Sequence, residues 1–345
     1  MPDWNAARNH AINNEVTNLI IVTGGAGFIG SNIVKALNER GEDEILVVDR
    51  LGKSEKWRNL IDLSFTDYEH KDDFILGVER GLFDRGVSAV FHMGACSSTT
   101  ELDADYLMSN NFEYTKRLAT RFGGRHGLRF VYASSAATYG DGSRGYSDEH
   151  AGIGDLRPLN MYGYSKQCFD LWALKTGFLE AAVGLKYFNV FGPNEYHKAD
   201  MRSVAIRAYS QIKNTGVIRL FKSYRPEYRD GEQCRDFIYV KDAVSATLHF
   251  LENPDLGGIY NVGTGSPRTF LDLAMALGPA LGRPPSIEYI DMPEGLEKRY
   301  QYHTAADTAK LRASGFTRPF TSLEDSVRDY VVSYLERDPR GFEDL

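Results

Sequence analysis

Two short runs in this sequence carry residue types whose spacing could do chemistry together. In Tyr162-Gly163-Tyr164-Ser165-Lys166 a phenol and an ammonium stand four residues apart, which on a helix puts them on one face. An ammonium close to a phenol favours the phenolate. The spacing therefore predicts a tyrosine whose pKa falls towards neutrality and which takes and returns a proton. In Thr23-Gly24-Gly25-Ala26-Gly27-Phe28-Ile29-Gly30 the glycines follow the pattern Gly24-x-x-Gly27-x-x-Gly30. The first gap is one residue wider than in the common dinucleotide fingerprint. Such a turn leaves backbone N–H groups pointing at a pyrophosphate, with the helix dipole favouring its charge. A bound dinucleotide and a proton-exchanging tyrosine are the parts of a hydride-transfer site. Ser135, in Ala133-Ser134-Ser135-Ala136-Ala137-Thr138-Tyr139-Gly140, is placed to hydrogen-bond a substrate hydroxyl or carbonyl. The plainer reading of Ser135 is a serine that satisfies a turn.

These residues need a frame. Leu19–Val22 reads as a buried strand before the glycine turn, and Ile33, Val34 and Leu37 fall at helical spacing after it. A second strand, Ile45–Val48, ends in Asp49, whose carboxylate is placed to hold ribose hydroxyls. Further strands are predicted at Ala89–His92, Arg129–Ala133 and Gly184–Phe188, with helices at Tyr106–Phe122 and Lys166–Leu179. This alternation predicts an α/β fold, a Rossmann-type doubly wound parallel sheet with a smaller C-terminal substrate-binding lobe. Asp49, Ser97, Ser135 and Asn189 all follow strand ends, where ligands bind in such sheets. The expected organisation is an extension over 1–18, a dinucleotide domain over 19–190, and a mainly substrate-binding lobe over 191–345. The chain is expected to return to the first domain near 236–262, with a strand at Asp236–Val240, Asp242 capping a helix, and a strand at Ile259–Val262.

Composition narrows the function. With 345 residues, 42% hydrophobic and 25% charged, the chain suits one or two packed domains. A net charge of −7 argues against nucleic acid as the main partner. Cys96, Cys168 and Cys234 are too scattered for a disulfide scaffold or zinc site, and no histidine pattern predicts a metal. Cys96 has no base at an activating spacing and reads as a small packing residue beside the cofactor. Residues 1–18 lack the apolar core of a signal peptide, and no apolar run approaches a membrane span, so a soluble cytoplasmic protein is expected.

Together these motifs resemble the extended short-chain dehydrogenase/reductase family, whose members act on nucleotide sugars. Within it, four features are similar to the ADP-L-glycero-D-manno-heptose 6-epimerases. They are Gly94-Ala95-Cys96-Ser97-Ser98-Thr99-Thr100-Glu101, Tyr187-Phe188-Asn189-Val190-Phe191-Gly192-Pro193, His197-Lys198 and Arg299-Tyr300-Gln301. The resemblance runs from Leu19 almost to the end. It implies cofactor contacts from Gly24, Gly27, Phe28, Ile29, Gly30, Asp49, Arg50, Lys56 and Lys71. Met93, Gly94, Ala95, Cys96, Ser97 and Asn110 would line the nicotinamide half, with Lys166 on the ribose and Val190 and Lys198 nearby. It implies catalysis by Tyr162, Lys166, Ser135 and Lys198. Asn189, Phe221, Lys222, Ser223, Tyr224, Arg235 and Tyr300 would surround the substrate. Asp200 and Arg207 stand where close relatives have serine and histidine.

The implied reaction interconverts ADP-D-glycero-D-manno-heptose and its L-glycero epimer at C6, by transient oxidation with NADP. Its alternatives are another nucleotide-sugar 4-epimerase or 4,6-dehydratase and, outside enzymes, a dinucleotide-binding sensor. Asp49 alone favours NAD, because a carboxylate repels a 2′-phosphate. Arg50, Lys53 and Lys56 supply cations for that phosphate, and the resemblance implies NADP. It also implies a homo-oligomer, a pentamer being one form. The arginine-rich loop 225–232 is read as solvated rather than as a rim contact for diphosphate.

Overall fold

The computed structural model describes residues 18–295 and 300–338; residues 1–17 of the predicted extension and Arg299 lie outside them. Seven parallel strands form the central sheet: β1 (Leu19–Thr23), β2 (Ile45–Asp49), β3 (Asp67–His70), β4 (Val87–His92), β5 (Arg129–Ser135), β6 (Ala182–Tyr187) and β7 (Gly258–Val262). Their order is β7-β6-β5-β4-β1-β2-β3. Strands covered on both faces need apolar residues at successive positions, and β1 and β2 have them. Ile20, Val22, Ile45 and Val47 pack into one core, while Ile21, Leu46 and Val48 pack into the other, as the alternating strand requires.

Helices fill both layers: α1 (Phe28–Asn38), α2 (Lys71–Glu79), α3 (Tyr114–Phe122), α4 (Met161–Lys175), α5 (Val204–Thr215), α6 (Val240–Glu252), α7 (Phe270–Leu281) and α8 (Leu323–Tyr330). A π-helical turn, Met108–Glu113, leads into α3. Helix α4 starts five residues before the predicted Lys166, because Asn160 caps it by accepting the Gly163 N–H at 2.8 Å. Tyr162 and Lys166 therefore both lie on it. In the second lobe, Val217–Phe221 pairs with Ser286–Ile290, and Cys234–Arg235 pairs with Arg268–Thr269.

Three elements differ from the sequence reading. Strand β3 was not anticipated: Asp67-Tyr68-Glu69-His70 has no apolar run, because an edge strand need not be covered on both sides. The predicted strand at Asp236–Val240 is Phe237–Tyr239, and it pairs with Asn189–Phe191 outside the main sheet. Asp242 is not a cap. Helix α6 begins at Val240, and the Asp242 carboxylate accepts the Thr321 N–H at 2.7 Å and its hydroxyl at 3.1 Å. Strand order reverses between β1 and β4, so a cleft opens at their carboxyl ends.

Candidate active site

The cleft has a volume of about 660 Å³. Its floor is the glycine turn, where Gly24, Gly27, Phe28, Ile29 and Gly30 all line it. Gly24 sits at φ +67°, and a Cβ there would lie 2.7 Å from the Gly94 nitrogen. At Gly30 a Cβ would lie 2.1 Å from the Gly24 carbonyl oxygen, so only glycine lets the turn close. Gly27 caps α1 without a side-chain bond, leaving the first-turn N–H groups for an anion.

Asp49 is buried and holds this turn from below. Its Oδ2 accepts the Ala26 N–H at 2.9 Å, and its Oδ1 accepts the Arg50 N–H and the Lys56 ammonium, both at 2.6 Å. Lys56 lines the cleft beside it. Arg50 is exposed, and Lys71 is paired with Asp72 at 2.8 Å; neither belongs to the lining.

Met93, Gly94, Ala95, Cys96 and Ser97 continue from β4 along one wall. Asn111 clamps this segment: its Oδ1 accepts the Cys96 N–H at 2.8 Å, and its Nδ2 donates to the Cys96 carbonyl at 2.9 Å and to Ser165 Oγ at 3.0 Å. The predicted Asn110 instead donates to Asn111 Oδ1 at 3.1 Å and does not line the cleft. The π-helical turn advances the register here, which a regular helical spacing does not reveal.

Tyr162, Lys166 and Ser135 meet on the same wall. Burial raises the Tyr162 phenol above its ordinary pKa, while a hydrogen bond from Ser135 opposes the rise. This corrects the predicted fall towards neutrality. The Lys166 ammonium donates to the Ala133 carbonyl at 2.8 Å, and burial lowers its own pKa to about 8 against the pull of Asp170.

A further wall is the loop after Asn189–Phe191, and both Asn189 and Val190 line the cleft. Buried Glu195 shapes the loop by accepting from the Gly192 N–H at 3.2 Å, from Ser203 Oγ at 2.7 Å and from the Ser203 N–H. Lys198 lines the cleft with its ammonium 5.3 Å from the centre of the Phe28 ring. Burial lowers its pKa, opposed by Glu195. Ala199 follows at φ 45°, an uncommon conformation for an alanine, and Asp200 beyond it is exposed. The Arg207 guanidinium binds the Asp200 carbonyl, and both residues stand outside the lining. His197, Met201, Arg202, Ser203 and Val204 line this wall without having been foreseen. Burial lowers the His197 pKa to about 4.

The remaining predicted residues, Phe221, Lys222, Ser223, Tyr224, Arg235 and Tyr300, stand outside the cleft lining, and Phe221 and Tyr300 belong to a ladder of rings in the second lobe. Phe221 packs on Tyr300 at 6.2 Å, Tyr300 on Tyr302 at 5.4 Å, and Tyr302 on Tyr228 at 5.2 Å. The Arg235 guanidinium lies 5.1 Å from the Tyr300 ring and 5.3 Å from Phe270, which itself lines the cleft. Arg235 is buried and has no ion pair with a carboxylate among the described residues. Burial lowers its pKa. Ser223 is fixed by its N–H donating to Asp230 at 2.7 Å, while Lys222 and Tyr224 both reach Asp291. In loop 225–232, Arg225 and Arg229 are exposed, but Arg225 stacks 4.7 Å from Tyr302.

A model of the NAD dependent epimerase/dehydratase family matches residues 20–263. The chain belongs to that family. It is 56% identical over 317 residues to the ADP-L-glycero-D-manno-heptose-6-epimerase of Nitratidesulfovibrio vulgaris strain DP4, covering 92% of this chain and 98% of that one. The crystal structure of Helicobacter pylori ADP-L-glycero-D-manno-heptose-6-epimerase matches with a TM-score of 0.75 at 28% identity, covering 92% and 97%. The Thermus thermophilus UDP-glucose 4-epimerase, solved with NAD, matches with a TM-score of 0.69 at 27% identity, covering 91% and 97%.

The family is named for its dependence on NAD, and the cleft fits a nicotinamide dinucleotide. The uncapped N–H groups after Gly27 would meet its pyrophosphate, and the Asp49–Lys56 pair, Lys166 and Ser135 line the same cleft, where they would hold its sugar and nicotinamide parts. Among the described residues no cluster of three metal-ligating side chains occurs, and no helix is long and apolar enough to cross a membrane.

Proposed function

We propose that this cleft inverts C6 of the heptose in an ADP-activated sugar, converting ADP-D-glycero-D-manno-heptose into its L-glycero epimer with tightly held NADP. Relatives that carry that enzyme's name and match over most of the chain support the substrate. When bound, NADP would supply the acceptor for the C6 hydride and its return, with no net redox change.

The residues' part is proton exchange and orientation. Tyr162 takes the proton from the C6 hydroxyl, with Ser135 holding the oxygen and Lys166 fixing the ribose. Inversion requires the ketone to present its other face in the second half-reaction. Its oxygen then lies away from Tyr162, so a second acid/base must stand on the other side. The observation that supports this reading is that Lys198 and Tyr162 line the same cleft from different segments of the chain, with burial biasing Lys198 towards the neutral amine. Arg235, a buried cation with aromatic flanks and no carboxylate partner among the described residues, suits the substrate diphosphate. Lys56 offsets the Asp49 charge, which supports NADP over NAD. A homo-oligomeric, cytoplasmic enzyme completes the reading.

The test incubates purified protein with ADP-D-glycero-D-manno-heptose, following the epimer by chromatography and cofactor reduction by absorbance. Epimer without accumulating NADPH is expected. Accumulating NADPH, or turnover of UDP-hexoses alone, overturns the assignment.

A further inference from the structure

Behind the reactive wall lies an ion pair that takes no direct part in the reaction. Asp170 and Lys186 are both fully buried, with the ammonium 2.6 Å from Asp170 Oδ2. Asp170 is on α4, one turn beyond Lys166 on the same face. Its Oδ1 accepts the Tyr132 hydroxyl at 2.9 Å, and its Oδ2 also accepts the Ser134 hydroxyl at 2.7 Å. Lys186, on β6, donates a second bond to Thr138 Oγ1 at 2.7 Å. The Thr138 hydroxyl in turn donates to the Ser135 carbonyl at 2.8 Å.

Strand β5, the turn that follows Ser135 and strand β6 are thus tied to the helix face that carries Tyr162 and Lys166. A buried lysine–carboxylate pair is a costly way to join a strand to a helix, since apolar residues of similar size often do so as well. Its position one turn from a second buried lysine gives it another use. A carboxylate there, matched by one cation of its own, leaves Lys166 without a full counter-charge.

We propose that Asp170 and Lys186 are positioning residues that fix Ser135 against Tyr162, and that their charge balance sets the pH at which Tyr162 and Lys166 exchange protons. The proposal rests on the reading of Tyr162 and Lys166 given above. The groups facing Lys166 are Asp170 on its own helix, Cys96 from the adjoining wall and His92 at the end of β4. Those facing Asp170 are Lys166, Lys186, Tyr132, Tyr139 and His150. His92 is held neutral at working pH, because burial lowers its pKa to about 3. The carboxylate of Asp170 is therefore the nearest acidic partner that Lys166 has on its own helix.

The signs follow. Lys186→Met leaves the Asp170 charge to Lys166, so both Lys166 and Tyr162 hold protons more tightly. Asp170→Asn leaves Lys186 unmatched and loosens them. The acid limb of the pH–rate profile for epimerisation should rise by about one unit in Lys186→Met and fall by about one unit in Asp170→Asn. The double variant should return the limb to its wild-type position at a lower rate, and Lys186→Arg should leave it unmoved. A purely structural pair would lower the rate in all of these without moving the limb.

Lysine side-chain NMR gives the same answer without substrate. The Lys166 ammonium, assigned with Lys166→Arg, should titrate higher in Lys186→Met and lower in Asp170→Asn. If wild type fails to epimerise the heptose, the functional reading falls, while this titration still decides the charge balance. If the charge variants do not fold, Ser134→Ala removes one neutral bond to Asp170 and should still raise the Lys166 titration by a few tenths of a unit. An unmoved titration in Ser134→Ala, or shifts of the same sign in the two charge variants, overturns the proposal.

Discussion

The two halves of the cleft are built by different means. The cofactor half is made largely of main chain at the ends of adjacent strands, with Gly24, Asp49 and Gly94 set by the register of β1, β2 and β4. The proposed substrate half is made of side chains drawn from separate segments: Lys198, on a loop shaped by Glu195, lines the cleft, while Arg235 stands outside the lining between the rings of Tyr300 and Phe270, the second of which lines it. The first is all-or-none, because one added atom cannot be accommodated. The second is graded, because each ring or charge contributes a separable part.

The sharpest test of this contrast is Gly30→Ala. Its Cβ would lie 2.1 Å from the Gly24 carbonyl, and the clash is with backbone that cannot swing away. Cofactor affinity should fall by roughly 100-fold or more and the melting temperature by several degrees. Dinucleotide titration and a thermal melt check it. Binding within about threefold of wild type would mean that the turn is more compliant than its geometry implies.

Next in size are the two proposed proton-exchanging groups, Tyr162 and Lys198. Tyr162→Phe keeps the ring and loses the hydroxyl, so turnover should fall by about 10²–10⁴ with cofactor affinity almost unchanged. A variant keeping a tenth of the activity would remove Tyr162 from the mechanism. Lys198→Met should lose turnover by about 10² or more. If it epimerises at near wild-type rate with unchanged cofactor affinity, the second acid/base is another group. Smaller again is Arg235→Met, which should raise KM for the ADP-sugar by about 10–100-fold and leave dinucleotide affinity alone. An equal loss of both affinities would mean that the halves are not separable.

The same contrast explains what could be read from sequence. The glycine turn, Asp49 and the Tyr162–Lys166 pair each sit beside one strong local pattern, and the sheet places them without further help. Asn110 was drawn from the resemblance; in the structure its neighbour Asn111, within the π-helical turn, holds the Cys96 backbone, a long-range contact that no local pattern signals. Asp200 and Arg207 were drawn from the resemblance, but the turn at Ala199 leaves Asp200 exposed, and Arg202 is the guanidinium of that loop in the lining. The fall expected for the Tyr162 pKa depended on spacing alone. It omitted burial, the largest contribution, and the carbonyl that occupies Lys166. Long-range packing, which spacing does not encode, decides each of these points.

The smallest effect expected concerns cofactor choice at the exposed rim. Asp49 would repel a 2′-phosphate if it stood alone, but its Oδ1 is bonded to Lys56 at 2.6 Å and its Oδ2 to the Ala26 N–H at 2.9 Å. The charge that a 2′-phosphate would meet there is thus already offset, and Arg50 adds an exposed cation next along the chain. Exposed charges are screened, so the contribution of Arg50 should be modest. Arg50→Ala should weaken NADP by about three- to tenfold with NAD almost unchanged, and the difference should shrink as salt is raised. Titrations of both dinucleotides at low and high ionic strength check it. An equal loss for both would place Arg50 on the shared part of the dinucleotide. No loss for either would leave Lys56 and the backbone as the whole of the 2′-phosphate site, extending the all-or-none character of the cofactor half to its rim.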